Sequence, residues 1–259
     1  MKLTVITRLS HTFVIIFAAF SSVFAQAGDQ ASASYRFLID MPSTGVVPKG
    51  YVTVGNELLP GGVLLSRLDV GVFDGVSFGV SYGGLNVIGA GDVEWYKYPG
   101  VNLRVNLFKE GLSMPALTIG FDSQGKGRFF RGDDRYEIKS PGFFGSVSKN
   151  YGFLGYMSLH GTINYSIEQK EGDNFVNAMI GFEKTIGPKV SLMCDYNFGF
   201  NDNTAAYGRG NGYLNVGLRW SVTPELTLGF DFRDLLNNKK WSPSTADRAL
   251  RIDFMQKIN

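Results

Sequence analysis

Between residues 211 and 235 the chain alternates with a period of two. Leu214, Val216, Leu218, Trp220 and Val222 interleave with Asn215, Gly217, Arg219 and Ser221. After the break Thr223-Pro224-Glu225, Leu226, Leu228, Phe230 and Phe232 interleave with Thr227, Gly229, Asp231 and Arg233. One apolar face and one polar or charged face at this period is a β-strand with two different solvents on its sides. A soluble antiparallel sheet with a core on one face satisfies the same rule. It would need helices or doubly buried strands to cover it, and the chain beyond its first 25 residues shows none. The hairpin reads as transmembrane.

The pattern recurs in twelve segments: 50–58, 62–72, 75–83, 98–108, 112–122, 140–149, 156–168, 174–186, 189–200, 212–222, 225–235 and 248–257. Most approach the length of a tilted strand crossing a bilayer, roughly 9–11 residues. Every second connection is short and built of turn formers, as at Asp74-Gly75, Gly187-Pro188 and 223–225. The others include the long stretches 85–97, 123–139, 201–211 and 237–247. Loops sorted by length onto two ends, with an even strand number, are the mark of an outer-membrane barrel with short periplasmic turns. The fold expected is therefore all-β: a transmembrane antiparallel up-and-down β-barrel of about twelve strands, closed because lipid cannot hydrate an open edge.

The N-terminus adds an export signal. Lys2 and Arg8, the apolar stretch Phe13 to Phe20 and the small residues before Gln26 read as a signal peptide over residues 1–25. Residues 26–49 are small, polar and aperiodic. They are expected to be a periplasmic or lumenal lead-in, with an extra strand at 35–39 as the alternative, and residues 50–259 form the barrel. The 33 Gly, 21 Phe and 12 Tyr suit tightly turning, aromatic-girdled β structure. Removing residues 1–25 takes two of the 25 basic residues and none of the 23 acidic ones, leaving equal numbers. That balance gives no support to nucleic-acid binding, which needs a basic stripe. Cys194 is the one cysteine, so no internal disulfide forms.

Projected inward, the alternation collects a near-balanced charged lining: Arg67, Asp69, Arg104, Asp122, His160, Glu183, Asp195, Arg219, Asp231, Arg233, Arg251 and Asp253, with Glu168 at a strand end. A strongly selective pore shows one sign of charge. Balance predicts pairs bridging the lumen. A barrel of twelve strands has a modest bore, filled by such a network or by the N-terminal segment, with a conducting channel as the alternative.

No catalytic, cofactor-binding or metal site is expected. His11 falls in the signal peptide and His160 has no assigned partner, while HExxH, cysteine clusters and EF-hand loops are absent from the sequence. The loop 123–139 is the most unusual connection. Its Lys126, Arg128, Arg131 and Arg135, set beside Phe129 and Phe130, offer contacts to outer-leaflet phosphate or an acidic polysaccharide.

The stretches Met41 to Gly50, Gly75 to Glu110, Pro115 to Gly127 and Ile138 to Gly155 resemble a group of largely uncharacterised bacterial outer-membrane barrels similar to the YjbH-type proteins linked to exopolysaccharide production. The shared motifs are structural, with Gly and Pro at turns. The resemblance implies an outer-membrane location, a non-enzymatic narrow channel or accessory barrel in envelope or exopolysaccharide export, and no cofactor. The alternative function is a sealed structural or adhesion barrel acting through its outward loops. Expected partners are outer-membrane lipid, lipopolysaccharide and a polysaccharide or periplasmic export component. Nucleic acid is not among them, and the oligomeric state stays open.

Overall fold

The computed structural model describes residues 35–152, 154–202, 206–240 and 246–258. The expected signal peptide and the first residues of the lead-in lie outside the described residues. Fifteen strands are present among the described residues: β1 (Tyr51–Leu59), β2 (Val63–Phe73), β3 (Val76–Leu85), β4 (Glu94–Trp95), β5 (Gly100–Phe108), β6 (Ala116–Asp122), β7 (Lys126–Phe130), β8 (Arg135–Ile138), β9 (Gly142–Gly152), β10 (Tyr156–Tyr165), β11 (Asn177–Thr185), β12 (Val190–Asn197), β13 (Tyr213–Ser221), β14 (Leu226–Arg233) and β15 (Asp247–Lys257).

Twelve of them make the wall. Each pairs antiparallel with its neighbour in chain order, and β1 pairs with both β2 and β15, which closes the sheet. The closing register aligns Val54 with Phe254 on one side and with Leu68 on the other. No wall strand keeps an unpaired edge, so every wall amide can face lipid with its hydrogen bond made. The two-residue β4 flanks β3, and β7 with β8 forms a separate hairpin.

The outer surface is the apolar face read from the alternation. Leu68, Phe78, Leu103, Ile119, Ile180, Leu218 and Ile252 are all exposed, while their chain neighbours are buried or half-buried on the inner face. In a closed antiparallel barrel this belt belongs in a bilayer. The turns 74–75, 109–115, 154–155, 186–189 and 222–225 gather at one end, and the longer connections gather at the other.

The twelve segments read from the alternation correspond to the twelve wall strands, with shifted ends. β6 begins at Ala116, not residue 112, because Pro115 has no amide to donate to the ladder. β12 stops at Asn197, ahead of Gly199, which turns the chain at φ 65°. The stretch 35–39 adds no strand to the wall. It lies inside the barrel.

Depth distinguishes a bilayer belt from any other apolar surface. Leu68→Arg, midway along β2, is expected to cost about 2–4 kcal/mol of unfolding free energy in phospholipid vesicles, and Leu107→Arg, near the short-turn end of β5, about 0–1 kcal/mol. Equal costs in denaturant titrations of the two variants would argue against a membrane belt.

Candidate functional site: a finger in the lumen

Residues 35–48 enter the barrel at its short-turn end, run inward, reverse and leave at the same end into β1. The reversal is held by Leu38 N donating to Met41 O at 3.0 Å and Ser43 N donating to Arg36 O at 3.0 Å. Phe37 and Pro42 face each other as an antiparallel bridge. On its way out the finger crosses β2 at Gly71, where an added Cβ would lie 1.9 Å from Pro48 O. Only glycine permits that crossing.

A peptide segment buried in a barrel must find partners for its main chain, since each unpaired group costs about 1–3 kcal/mol. The wall provides them. The amides of Ile39, Asp40 and Met41 all donate to Asp195 Oδ2, at 2.9, 2.9 and 3.1 Å. Successive amides converging on one anion form a nest. The carbonyls are met as well: Leu38 O by Arg219 at 2.7 Å, Ile39 O by Lys126 at 2.8 Å and Arg251 at 3.1 Å. Pro42 O accepts from Thr162 and Ser146, Ser43 O from Arg104, and Thr44 O from Thr118.

Side chains of the finger are engaged too. Asp40 lies 2.9 Å from Arg233 and 3.0 Å from Lys126. Arg36 pairs with Asp69. Leu38, Ile39 and Met41 are fully buried with Met179 and Met193. The Phe37 ring carries Arg104 at 4.6 Å, Arg67 at 5.0 Å and Lys126 at 5.7 Å from its centroid, a cation–π arrangement.

Around the finger the wall pairs its own charges. Arg67 meets Asp122 at 2.8 Å, Arg251 meets Glu57 at 2.7 Å, and Arg219 reaches both oxygens of Asp231. Arg67, Asp69, Arg104, Asp122, Asp195, Arg219, Asp231, Arg233 and Arg251 are thus brought together in one buried lining. Glu183 and Asp253 stand apart from this centre, half-buried toward the short-turn end. His160 Nδ1 lies 2.7 Å from Ser148 Oγ, and its Nε2 makes no hydrogen bond among the described residues. Two cavities flank the finger at that end. One, of about 260 Å³, includes Arg36, Arg67, Arg251 and Asp253. The other, of about 190 Å³, includes Ser148, His160 and Glu183.

The long-loop end is closed by a lid. Lys126 and Arg135 were expected to reach outward to phosphate or polysaccharide, and both point in. Lys126 sits on β7 between Glu57, at 2.8 Å, and Asp40. Arg135, on β8, is fully buried, 2.7 Å from Asp202 and 3.1 Å from Glu171. The cause is apolar. Tyr136 packs edge-on against Tyr96 and Phe129, and the tyrosines join Leu59, Val63 and Leu65 in a cluster that draws the hairpin over the mouth. Arg128 and Arg131 remain exposed, held by Glu94 and Trp95 O. Lys239 extends the lid network to Glu137 and Asp247.

Sequence reasoning missed Glu57, Asn102 and Asp40, and placed Asn215 on the polar face without giving it a role. Glu57 was within reach, since it shares the phase of Thr53 and Gly55 on β1. Asp40 lies in an aperiodic stretch and gives no such signal.

No family model matches the chain, and no curated protein matches it. Among solved structures, it is similar to the KdgM porin in complex with disordered oligogalacturonate, at 9% identity and a TM-score of 0.47 over 81% of this chain and 99% of that one. It is also similar to the Acinetobacter baumannii outer membrane protein Omp33, at 11% identity and TM-score 0.45 over 79% and 96%. A third is outer membrane phospholipase A from Escherichia coli, at 10% and 0.44 over 89% and 99%. These likenesses concern the barrel shape alone.

The lid holds a buried carboxyl whose ionisation is disfavoured. Glu168, in the connection after β10, accepts the amides of Tyr136 and Ser140, each at 2.8 Å. Burial outweighs those bonds and pushes its carboxyl up from 4.5 to about 7. A carboxyl raised in the closed lid stabilises closure fully below about 4.5, and that contribution is lost as pH rises to about 7. Hydrogen exchange at the Tyr136 and Ser140 amides, corrected for intrinsic rates, should show opening grow with pH across that window, by up to roughly tenfold per unit. Glu168→Gln should flatten the dependence.

Proposed function

We propose that this chain is a non-enzymatic outer-membrane barrel of the transport class, a narrow passage held shut at rest by its own finger. The observation that carries the reading is that the finger precedes the first wall strand and takes no part in the β-ladder. Its hold on the wall consists of side-chain bonds, ion pairs and one small apolar contact, so it can leave without breaking the barrel. The short-turn end, where it enters, corresponds to the periplasmic side in barrels of this kind. An accessory role in exopolysaccharide export is the specific task suggested by the resemblance to YjbH-type proteins, and the polysaccharide or export partner stands as a proposal with it.

The second reading, a sealed barrel acting through its outward face, is favoured by the lid. Arg135, Lys139, Glu171 and Asp202 form a buried network there, with Lys239 pairing beside it to Glu137 and Asp247, and such networks rigidify what they join.

A removable lock separates the two. An added Cβ at Gly181 would lie 2.3 Å from Leu38 Cδ1, so cysteines at both positions are near bridging distance. In a Cys194→Ser background, oxidised Leu38→Cys/Gly181→Cys protein in a planar bilayer should be silent, and reduction should restore brief openings. Asp40→Lys, which sets a third cation beside Lys126 and Arg233, should raise the open fraction at least tenfold. Silence from reduced and Asp40→Lys proteins that migrate as folded barrels would give the sealed reading the field.

A further inference from the structure

We propose that the lumen wall is a peptide-binding site in its own right, and that the finger occupies it as a tethered ligand. The ligand class is a short peptide turn carrying one carboxylate flanked by apolar residues, presented by another polypeptide. The proposal rests on the finger being displaceable, as the gated reading requires.

The chemistry of the wall is the argument. A lumen lined for ions or sugars has no reason to spend its charged groups on amide geometry. Here Asp195 gathers three consecutive amides, while Arg219, Arg251 and Arg104 are each aimed at a main-chain carbonyl of the finger. Arg104 is 1% exposed and makes no carboxylate pair among the described residues; its partners are the carbonyls of Ser43 and Gly45 and the Phe37 and Phe144 rings. These contacts read a backbone, and the backbone is the part of the finger that any peptide shares.

Sequence selectivity enters at two points. Arg233 reaches Asp40 Oδ2 through both Nε, at 3.1 Å, and Nη2, at 2.9 Å, a fork that suits a carboxylate. Apolar side chains on either side of the acid fill the pocket of Met179 and Met193. Methionine adapts to differently shaped partners, so these positions tolerate exchange among apolar residues. A tethered finger competes at an effective concentration of about millimolar, which hides the site from dilute peptide in the resting protein.

The test uses the full chain with its finger expelled by Ile39→Asp/Met41→Asp, refolded into nanodiscs, and a fluorescent synthetic peptide of residues 35–47. Anisotropy should show saturable binding to the variant and none at micromolar peptide to the wild type, and the peptide should block conductance. A peptide with Asp40→Asn, or the added wall change Asp195→Asn, should weaken binding at least tenfold. Replacing Leu38 and Ile39 of the peptide by valine should change it less than threefold. Equal binding of a reversed-order peptide, or no binding to a variant that conducts, overturns the peptide site and leaves the gate standing. A folded variant that binds but never conducts overturns the gate alone, and one that does neither overturns both. Should the double change prevent folding, Asp40→Lys expels the finger with a single substitution and carries the same measurements.

Discussion

A main-chain polar group that loses water must find a partner, and in this protein that rule acts on both sides of one wall. On the outside, lipid offers no hydrogen bonds, so the sheet continues until β15 returns to β1 and no edge is left. On the inside, residues 38–43 are buried, and the amides and carbonyls that the finger's own reversal leaves open are met from the wall by Asp195, Arg219 and Thr162 among others. The wall strands satisfy their own backbones through the ladder, which frees their inward side chains for the finger. Closure makes the lumen, and the lumen then dictates what may occupy it.

The charges follow from the same constraint. Buried ions are tolerated only when paired and hydrogen-bonded. Most of the wall's arginines carry a wall carboxylate, as Arg67 does with Asp122. Arg104 and Arg233 do not, and neither do Asp195 and Asp69 carry a wall cation; these four are compensated by the finger's carbonyls, its Asp40, its amides and its Arg36. Withdrawal therefore uncovers two charges of each sign. Asp195 faces Asn215 in register, Asn215 accepts from Asp234 N, and Arg233 is the next residue back, so one uncovered pair already shares a row of the wall. The balance of the lining is thus a property of the closed and the open lumen alike.

What could be read from the sequence was whatever had a period. The twelve strands, the turn-sorted ends and the inward phase of Arg104, Asp195 and Arg219 all come from a chain exposed to two contrasting solvents. A lumenal course was one of the two readings of this aperiodic stretch, but its reversal and its partners were not legible, because Leu38, Ile39 and Met41 meet Met179 and Met193, and Asp40 meets Arg233, far along the chain and without any alternation. Lys126 and Arg135 misled for a related reason. A loop rich in charge reads as solvated, and the apolar contact of Tyr136 with Tyr96, which overrides it, joins residues forty apart in the chain. The partner of His160 was hidden only by register: His160 aligns directly with Ser148 across β9 and β10.

The two closures are joined through a single side chain. Lys126 belongs to β7 in the lid, yet its ammonium group donates to Ile39 O at the finger tip and pairs with both Asp40 and Glu57. Lifting the lid removes one of the two cations that neutralise Asp40, and withdrawing the finger leaves Lys126 with Glu57, which Arg251 already serves. Each movement weakens the seat of the other. On the proposed gated reading, a solute arriving from either end would meet one coupled obstruction, and whatever drew the finger toward the short-turn end would also loosen the lid at the opposite mouth.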